Sequence, residues 1–340
     1  MFGLGWLRAL TDARGLLEHA HHGVPRLGEG YTTDDNARAL LYLSLLPEGA
    51  RDEGLVRTYL AFLLHMQKED GRFRNGLTLD GRFEDEGEAE DPTGRAVLAL
   101  AAAQRLPPPY AGPAREALLR ALPALEGFTS LRGRAYALLG LLALPKEPFL
   151  EAAEALGEGL LRAFREAEPA WPYPGPLTYA NHRPVEALYA YGLAFRRQEA
   201  VALARRALAF LKEHYFTPGE EGLFFDPVGN RFMARGRDKP LFDQQPIEAK
   251  CALLAHLRFG ERVLAEVAFL WFHGRNRLRA PLVDAFGPMD GLTPHGPNQN
   301  RGAEALLAYL LAWQALVQGV FPQVDEGVAR GGVFALGGRP

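Results

Sequence analysis

A short polar segment followed directly by an alanine- and leucine-rich helix pattern recurs six times along this chain of 340 residues. Each copy begins with capping or charged residue types and continues into small apolar residues, which is typical of a helix start. The copies diverge and are unevenly spaced, which excludes an open solenoid with one strict period. They predict a closed ring of helical hairpins with one polar mouth. The copies lie at residues 33–40, 90–97, 131–138, 181–188, 245–250 and 300–306.

Hydrophobic periodicity divides the chain into twelve helical segments that form six pairs. The first helix of each pair is charged on one side and is expected to face solvent, whereas the second is nearly uncharged after its first turn and is expected to be buried all round. This alternation predicts an all-α (α/α)6 barrel with the site at the amino ends of the inner helices. The predicted helices cover about residues 5–20, 34–46, 54–67, 92–105, 114–128, 131–143, 147–166, 183–196, 198–215, 245–258, 260–275 and 301–317.

The inner helices are expected to run parallel, so that their amino ends and positive dipole ends meet at one mouth. No break in composition marks a linker, and residues 1–320 are therefore predicted to form a single barrel domain. Residues 321–340 contain two Gly-Gly pairs and are expected to pack on the barrel or to fray from it. The long connectors at residues 70–90, 167–182, 216–244 and 276–299 lead into inner helices and are expected to cover the same mouth.

Composition limits the classes of function. A formal net charge of −3 gives no electrostatic signature of nucleic-acid binding. One cysteine excludes an internal disulfide and a multi-cysteine zinc site, and no metal-binding histidine spacing or nucleotide-binding glycine loop occurs, so neither metal nor cofactor is expected. No apolar run is long enough to span a membrane, and Arg8 interrupts the apolar start, so a cytoplasmic location is expected. Arginine greatly outnumbers lysine, which fits a GC-rich or heat-adapted genome.

Carboxylates collect at the predicted mouth, and a pair of carboxylates across a cavity is what cleavage of a glycosidic bond requires. One acts as acid on the leaving oxygen, and the other acts as base on a water or as nucleophile. Asp35 and Glu248 are the first candidates for these roles. Helix capping is the alternative for Asp34 or Asp35, although one cap needs only one of the two adjacent acids. The further catalytic candidates are Asp91, Asp243 and Glu304.

The predicted mouth also carries side chains suited to binding a sugar. Aromatic rings suit stacking on sugar faces, while amides and arginines suit hydroxyl groups or an anionic group. For the arginines the preferred alternative is that each pairs with an acid on a neighbouring helix and fixes the ring geometry. The predicted substrate-binding residues are Tyr31, Asp34, Asn36, Arg38, Arg95, Trp171, Tyr179, His182, Gln244, Gln245, Asp290 and Asn300.

Two histidines in mouth connectors, His182 and His295, suggest a third chemistry. A pair of histidines can abstract and return a proton, as sugar epimerisation requires. This hypothesis needs both side chains in the same cavity.

Five segments carry recognisable motifs. The most specific are Gly-Tyr-Thr-Thr-Asp-Asp-Asn-Ala-Arg-Ala-Leu at residues 30–40 and the Asp-Gln-Gln-Pro within residues 242–249. The others lie at residues 90–96, 290–292 and 298–304. Together they resemble the motifs of a bacterial six-hairpin glycosidase-like family, whose members are often encoded beside or fused to glycosyltransferases. The resemblance implies an (α/α)6 toroid and a carbohydrate-related role, but it carries over no catalytic assignment.

Two functional hypotheses follow. The first is an enzyme that cleaves a glycosidic bond of an oligosaccharide or glycoconjugate through paired carboxylates, as a hydrolase or a phosphorylase. The second is a non-catalytic glycan-binding partner of a glycosyltransferase. The second hypothesis rests on departures from the resemblance, because residues 171–181 lack the acids expected before a Tyr-Asp-Asn motif and Arg301 replaces an expected glutamine.

Overall fold

The computed structural model describes residues 3–84, 90–144 and 146–320, and the predicted tail at residues 321–340 lies outside them. The described residues form twelve α-helices. These are α1 (Leu4–Ala9), α2 (Thr33–Leu45), α3 (Glu53–Met66), α4 (Glu90–Ala102), α5 (Pro108–Leu125), α6 (Leu131–Leu141), α7 (Phe149–Arg165), α8 (His182–Ala194), α9 (Gln198–Tyr215), α10 (Pro246–Arg258), α11 (Arg262–Leu270) and α12 (Ala303–Gln318).

The even-numbered helices form a closed ring. In the order α2, α4, α6, α8, α10 and α12, each helix contacts the next, and α12 returns to contact α2. Helices α3, α5, α7, α9 and α11 each pack outside the ring on the inner helix that precedes them, and α1 packs on α12. The predicted (α/α)6 barrel is therefore confirmed.

Small residues allow the inner helices to approach one another closely. Every residue from Pro92 to Ala102 on α4 is buried, as expected for a helix that is apolar on all sides. At the contact between α4 and α6, a Cβ atom on Gly140 would lie 2.7 Å from the Cα atom of Leu98. The glycine is therefore needed for the spacing between these two backbones.

The outer helices are amphipathic. On α7, Leu156, Leu160 and Phe164 are buried against the ring, whereas Arg162 and Arg165 are exposed. This pattern covers the apolar outer surface of the inner ring. None of the described helices has the length and apolar character needed to cross a membrane.

The helix predicted over residues 5–20 is wrong beyond Ala9, where α1 ends. The carboxylate of Asp12 accepts hydrogen bonds from the backbone amides of Arg14 at 2.8 Å and Gly15 at 3.2 Å. Such an Asx turn gives the backbone an alternative to helical hydrogen bonding. The chain after this turn runs as an extended segment past α2. The helix predicted over residues 260–275 likewise ends early, at Leu270.

Short antiparallel hairpins occupy the connectors that enter four of the inner helices, namely α2, α4, α10 and α12. Two connectors also join each other, because Gln244 before α10 and Leu292 exchange two backbone hydrogen bonds of 2.9 Å. The strands are β1 (Ala20–His21), β2 (Val24–Pro25), β3 (Tyr31–Thr32), β4 (Gly76–Leu77), β5 (Phe83–Glu84), β6 (Phe216–Gly219), β7 (Gly222–Phe225), β8 (Val283–Asp284), β9 (Gly287–Pro288), β10 (Gly291–Thr293) and β11 (Gly296–Asn298). They pair as β1–β2, β3–β4–β5, β6–β7, β8–β9 and β10–β11.

The close contact between α4 and α6 gives a stability prediction. Gly140→Ala should lower the free energy of unfolding by about 1–3 kcal/mol, because the new methyl group meets backbone that cannot rotate away. Gly5→Ala on α1 is the matched control, since an added Cβ there meets nothing within 4 Å. The control should be neutral or stabilising by up to about 1 kcal/mol. Urea denaturation of both variants checks this, and an equal effect of the two substitutions would contradict the close-packing argument.

Candidate active site

A cavity of about 310 Å³ lies at the amino ends of α2, α10 and α12. We call it the mouth cavity. Six of the residues predicted from the sequence line it, namely Asp34, Asp35, Arg38, Gln245, Asp290 and Glu304. Its other wall residues are Glu18, His19, Thr32, Asn75, Pro246, Gly302 and Ala305. Carboxylates from four separate parts of the chain therefore face one cavity, namely Glu18, the pair Asp34 and Asp35, Asp290, and Glu304.

The first turn of α2 brings two acids to this cavity. Thr32 is the N-cap of α2, and its hydroxyl accepts a hydrogen bond from the backbone amide of Asp35 at 3.3 Å. The same hydroxyl donates to the Asp35 carboxylate at 3.1 Å. Because Thr32 satisfies the cap, helix capping does not account for Asp34 or Asp35.

Two buried arginines connect these acids to the ring. Arg38 lies 2.5 Å from Asp35 on its own helix and 2.9 Å from Glu304 on α12. Arg95 on α4 lies 2.6 Å from Asp34 on α2. Both arginines thus link neighbouring inner helices through carboxylates, as the pairing interpretation anticipates.

The environment of the cavity shifts the pKa values of several carboxyl groups in its wall. Burial raises the pKa of Glu18 to about 7, the negative charge of Asp35 adds to the shift, and His19 opposes it. Burial also raises the pKa of Asp35, although the guanidinium of Arg38 counteracts the effect. The pKa of Asp290 is raised by burial too, despite a hydrogen bond of 2.5 Å from the Gly302 amide. Glu18 is thus poised to hold a proton near neutral pH.

Glu18 and His19 were not among the residues predicted from the sequence. They lie on the extended segment that was assigned to a first helix. The Glu18 carbonyl accepts a hydrogen bond from the Ala303 amide at 2.9 Å, which holds this segment against the start of α12. The missed signal was the Asp12-to-Gly15 turn, which would have placed Glu18 in the connector before the first junction.

Glu248, a first catalytic candidate from the sequence, does not line the mouth cavity. It lies on the first turn of α10 and is 1% exposed, and its carboxylate accepts a hydrogen bond from the Ala180 amide at 2.5 Å. Burial raises its pKa to about 8. Asp243 is exposed outside the cavity, and its carbonyl accepts a hydrogen bond from the Asn230 amide.

Asp91 also lies away from the mouth cavity, in a network of its own. Its carboxylate accepts hydrogen bonds from the Ser130 hydroxyl at 2.5 Å, Arg132 at 2.8 Å and the Tyr179 hydroxyl at 2.9 Å. Burial alone would raise its pKa, but the charges of Arg95 and Arg132 hold that pKa below its usual range. This network joins α4, α6 and the connector before α8.

Two amide side chains predicted to bind substrate instead hold the fold together. Asn36 accepts a hydrogen bond from the Leu16 amide at 2.9 Å and donates to the Leu16 carbonyl at 3.3 Å. Gln244 donates to Asp226 at 2.8 Å and accepts from the indole of Trp271 at 2.8 Å. Both side chains are buried outside the cavity wall.

Three further predicted residues also lie outside the cavity wall. Tyr31 is buried and donates its hydroxyl to Asp12 at 2.5 Å. Trp171 is buried and donates to the Gly175 carbonyl at 2.8 Å. Asn300 lies in the connector before α12, where its carbonyl accepts a hydrogen bond from the Asp290 amide.

The two histidines considered for epimerisation do not share the mouth cavity. His182 is fully buried, and its ring centroid lies 4.8 Å from that of Tyr215 and 5.8 Å from that of His256. This burial holds the pKa of His182 well below its usual range. His295 is exposed in the turn between β10 and β11. The cavity wall contains His19 instead.

Structural comparison places the chain among barrels of the same architecture. A D-mannose isomerase matches with a TM-score of 0.70 at 9% identity, over 93% of this chain and 95% of that one. A cellobiose 2-epimerase from Bacillus thermoamylovorans matches with a TM-score of 0.66 at 8% identity, over 91% and 95%. A GH76 α-mannanase from Bacteroides thetaiotaomicron matches with a TM-score of 0.63 at 11% identity, over 93% and 94%.

The TM-scores show a shared fold, and at identities of 8–11% the likeness extends to the fold alone. No protein-family model matches the chain, and no curated protein matches it either. In the described part of the chain, no group of three or more histidine, cysteine, aspartate or glutamate residues has the arrangement needed to hold a metal ion.

The raised pKa of Glu18 predicts a pH-dependent stability difference. The folded protein holds the Glu18 proton up to about pH 7, whereas the unfolded chain releases it near the ordinary value of 4.5. Ionisation of Glu18 therefore lowers folding stability as the pH rises between these values. The melting temperature of Glu18→Gln relative to the unmodified protein should increase from pH 4.5 to pH 8.

Differential scanning calorimetry across this range measures the change. Glu48→Gln, an exposed substitution away from the cavity, is the control and should show no such trend. If the difference in melting temperature between Glu18→Gln and the unmodified protein stays constant with pH, the assignment of a raised pKa to Glu18 is wrong.

Proposed function

We propose that this protein is a carbohydrate-active enzyme that cleaves a glycosidic bond of an oligosaccharide bound in the mouth cavity. The observation that carries the proposal is the presence of Glu18 and Glu304 in the wall of one cavity, in different electrostatic environments. Two carboxyl groups with different environments are what acid and base roles require.

Glu18 is the proposed general acid. Its pKa of about 7 means that a substantial fraction carries a proton at neutral pH, and that proton is available to the leaving oxygen. Burial keeps the proton on Glu18, and the negative charge of Asp35 supports the same state. Donation of the proton leaves a carboxylate that His19, 3.5 Å away, can stabilise when it is protonated.

Glu304 is the proposed base or nucleophile. Its side chain is 40% exposed, and one of its oxygens is oriented by Arg38 at 2.9 Å. Asp35 is only 3% exposed and bonds both Thr32 and Arg38, so we assign it the role of positioning Arg38. We assign no catalytic role to Glu248, Asp91 or Asp243, because their side chains do not line the cavity.

Polar groups around the cavity suit the binding of sugar hydroxyls. Asn75, Gln245 and Asp290 each come from a different connector and face the same space as the two acids. The structural neighbours include a mannose isomerase, a cellobiose epimerase and a mannanase, which supports carbohydrate as the substrate class.

The experiment below also tests two alternative functions that the sequence suggests. A non-catalytic glycan-binding partner of a glycosyltransferase would use the same cavity without turning over its ligand. Epimerisation through His182 and His295 has little support, because these residues lie in different environments outside the cavity wall. The expected cytoplasmic location stays a prediction from the sequence.

The substitution test compares residues inside and outside the cavity. The protein is incubated with neutral and acidic oligosaccharides, with and without phosphate, and products are identified by mass spectrometry. Glu18→Gln and Glu304→Gln should each lower kcat/KM by roughly 100-fold or more, because each removes a proton-transfer group. Asp243→Asn is the matched control and should retain activity.

The outcomes separate the hypotheses. Product that forms only with phosphate indicates a phosphorylase, and product without phosphate indicates a hydrolase. Saturable binding of an oligosaccharide without any product would favour the binding partner. Full activity in both glutamate variants would overturn the proposed roles.

The pH profile tests the acid assignment separately. If Glu18 must be protonated, kcat/KM should fall about tenfold for each pH unit above about 7, since the protonated fraction falls by that factor. The residual activity of Glu18→Gln should lack this alkaline limb. An unchanged alkaline limb in the variant would assign it to another group.

A further inference from the structure

A second, smaller space lies at the centre of the ring, and we call it the central chamber. Its volume is about 10 Å³, which corresponds to about one water-sized sphere. All six inner helices contribute wall residues, including Arg38 and Leu41 of α2, Leu98 of α4 and Leu311 of α12. The chamber therefore belongs to the barrel interior, and Arg38 lines both it and the mouth cavity.

The chamber wall is strongly cationic. It contains one buried basic side chain from each of four inner helices, namely Arg38, Arg95, Arg183 and Lys250. The three arginines have carboxylate partners, as in the pair between Arg183 and Glu186. Lys250 is 2% exposed and, unlike the three arginines, forms no ion pair with a carboxylate among the residues that the structure describes. A buried ammonium without a partner is costly, which points to a missing negative charge.

The unsatisfied groups of the wall are hydrogen-bond donors. The Nε atoms of Arg38, Arg95 and Arg183 and the hydroxyl of Tyr136 are buried without a hydrogen-bond partner among the described residues. Arginine and lysine can donate but not accept. A water accepts about two hydrogen bonds, whereas a single anion accepts several and also compensates the charge.

We propose that the central chamber binds one monatomic anion, chloride under ordinary conditions, between the ammonium of Lys250, the hydroxyl of Tyr136 and the surrounding guanidinium groups. The small volume favours a single-atom ion over phosphate or sulfate, which carry four oxygens. Because Arg38 also holds Asp35 and Glu304, the anion would stabilise the arginine on which the mouth cavity depends.

The charge of Lys250 sets the pH range of binding. Its pKa is lowered to about 8, chiefly by burial; the charges of Arg183, Arg38 and Arg95 act in the same direction, and Cys251 opposes them. The other residues of the chamber wall are Tyr136 of α6 and the apolar Ala37, Leu41, Leu98 and Leu311. Anion affinity should therefore fall as the pH rises through about 8, because Lys250 then loses its charge.

The solution test compares sodium chloride with sodium methanesulfonate at equal ionic strength, using protein dialysed into chloride-free buffer. Chloride should raise the melting temperature in a saturable manner, and methanesulfonate should not. In Lys250→Met the half-saturating chloride concentration should increase roughly tenfold or more, the equivalent of losing one charged contact. The exposed Lys212→Met is the matched control and should keep the chloride response.

Two further measurements keep the proposal testable if Lys250→Met folds poorly. Tyr136→Phe should weaken the chloride response while retaining the ring. Crystals grown in sodium bromide should show one anomalous peak in the central chamber, because bromide substitutes for chloride. A chloride response equal to that of methanesulfonate, or a bromide crystal whose chamber contains only water, would overturn the proposal.

Discussion

The ion pairs of Arg38 are the contacts on which the rest of the structure depends. The ring closes where α12 returns to α2, and Arg38 of α2, which Asp35 on the same helix also holds, joins the two helices through Glu304. The extended segment before α2 is fixed at the same place, by Asn36 on one side and the Ala303 amide on the other. A buried charge is tolerated only when it is paired, so removal of one partner would leave an uncompensated charge at the ring closure.

The same contacts create the chemistry of the mouth cavity. Asp35 is kept close to Glu18 because Arg38 and Thr32 hold it, and its charge helps to raise the pKa of Glu18. Glu304 is oriented by the other side of the same guanidinium. The acid and base roles that we propose thus follow from ring closure. The same arginine also lines the central chamber.

The sequence predicted the ring well because its signal is local. Small apolar residues mark the inner helices, and capping segments mark their starts. The site was harder to predict, because the helix turn on which a residue lies does not fix what its side chain contacts. Glu304 and Glu248 both lie in first turns, yet only Glu304 lines the cavity. Glu18 is missing from the predicted site because the apolar periodicity of residues 5–20 predicts a helix there. The Asx turn at Asp12 instead ends the helical region before Glu18.

The most direct test of the central claim is a crystal structure of Glu18→Gln with an oligosaccharide that the unmodified protein cleaves. The account predicts that the scissile oxygen lies in the mouth cavity, within about 3.2 Å of the amide at position 18, with Glu304 on the other side of the sugar ring. A sugar bound outside this cavity, or a scissile bond beside Glu248, would contradict it.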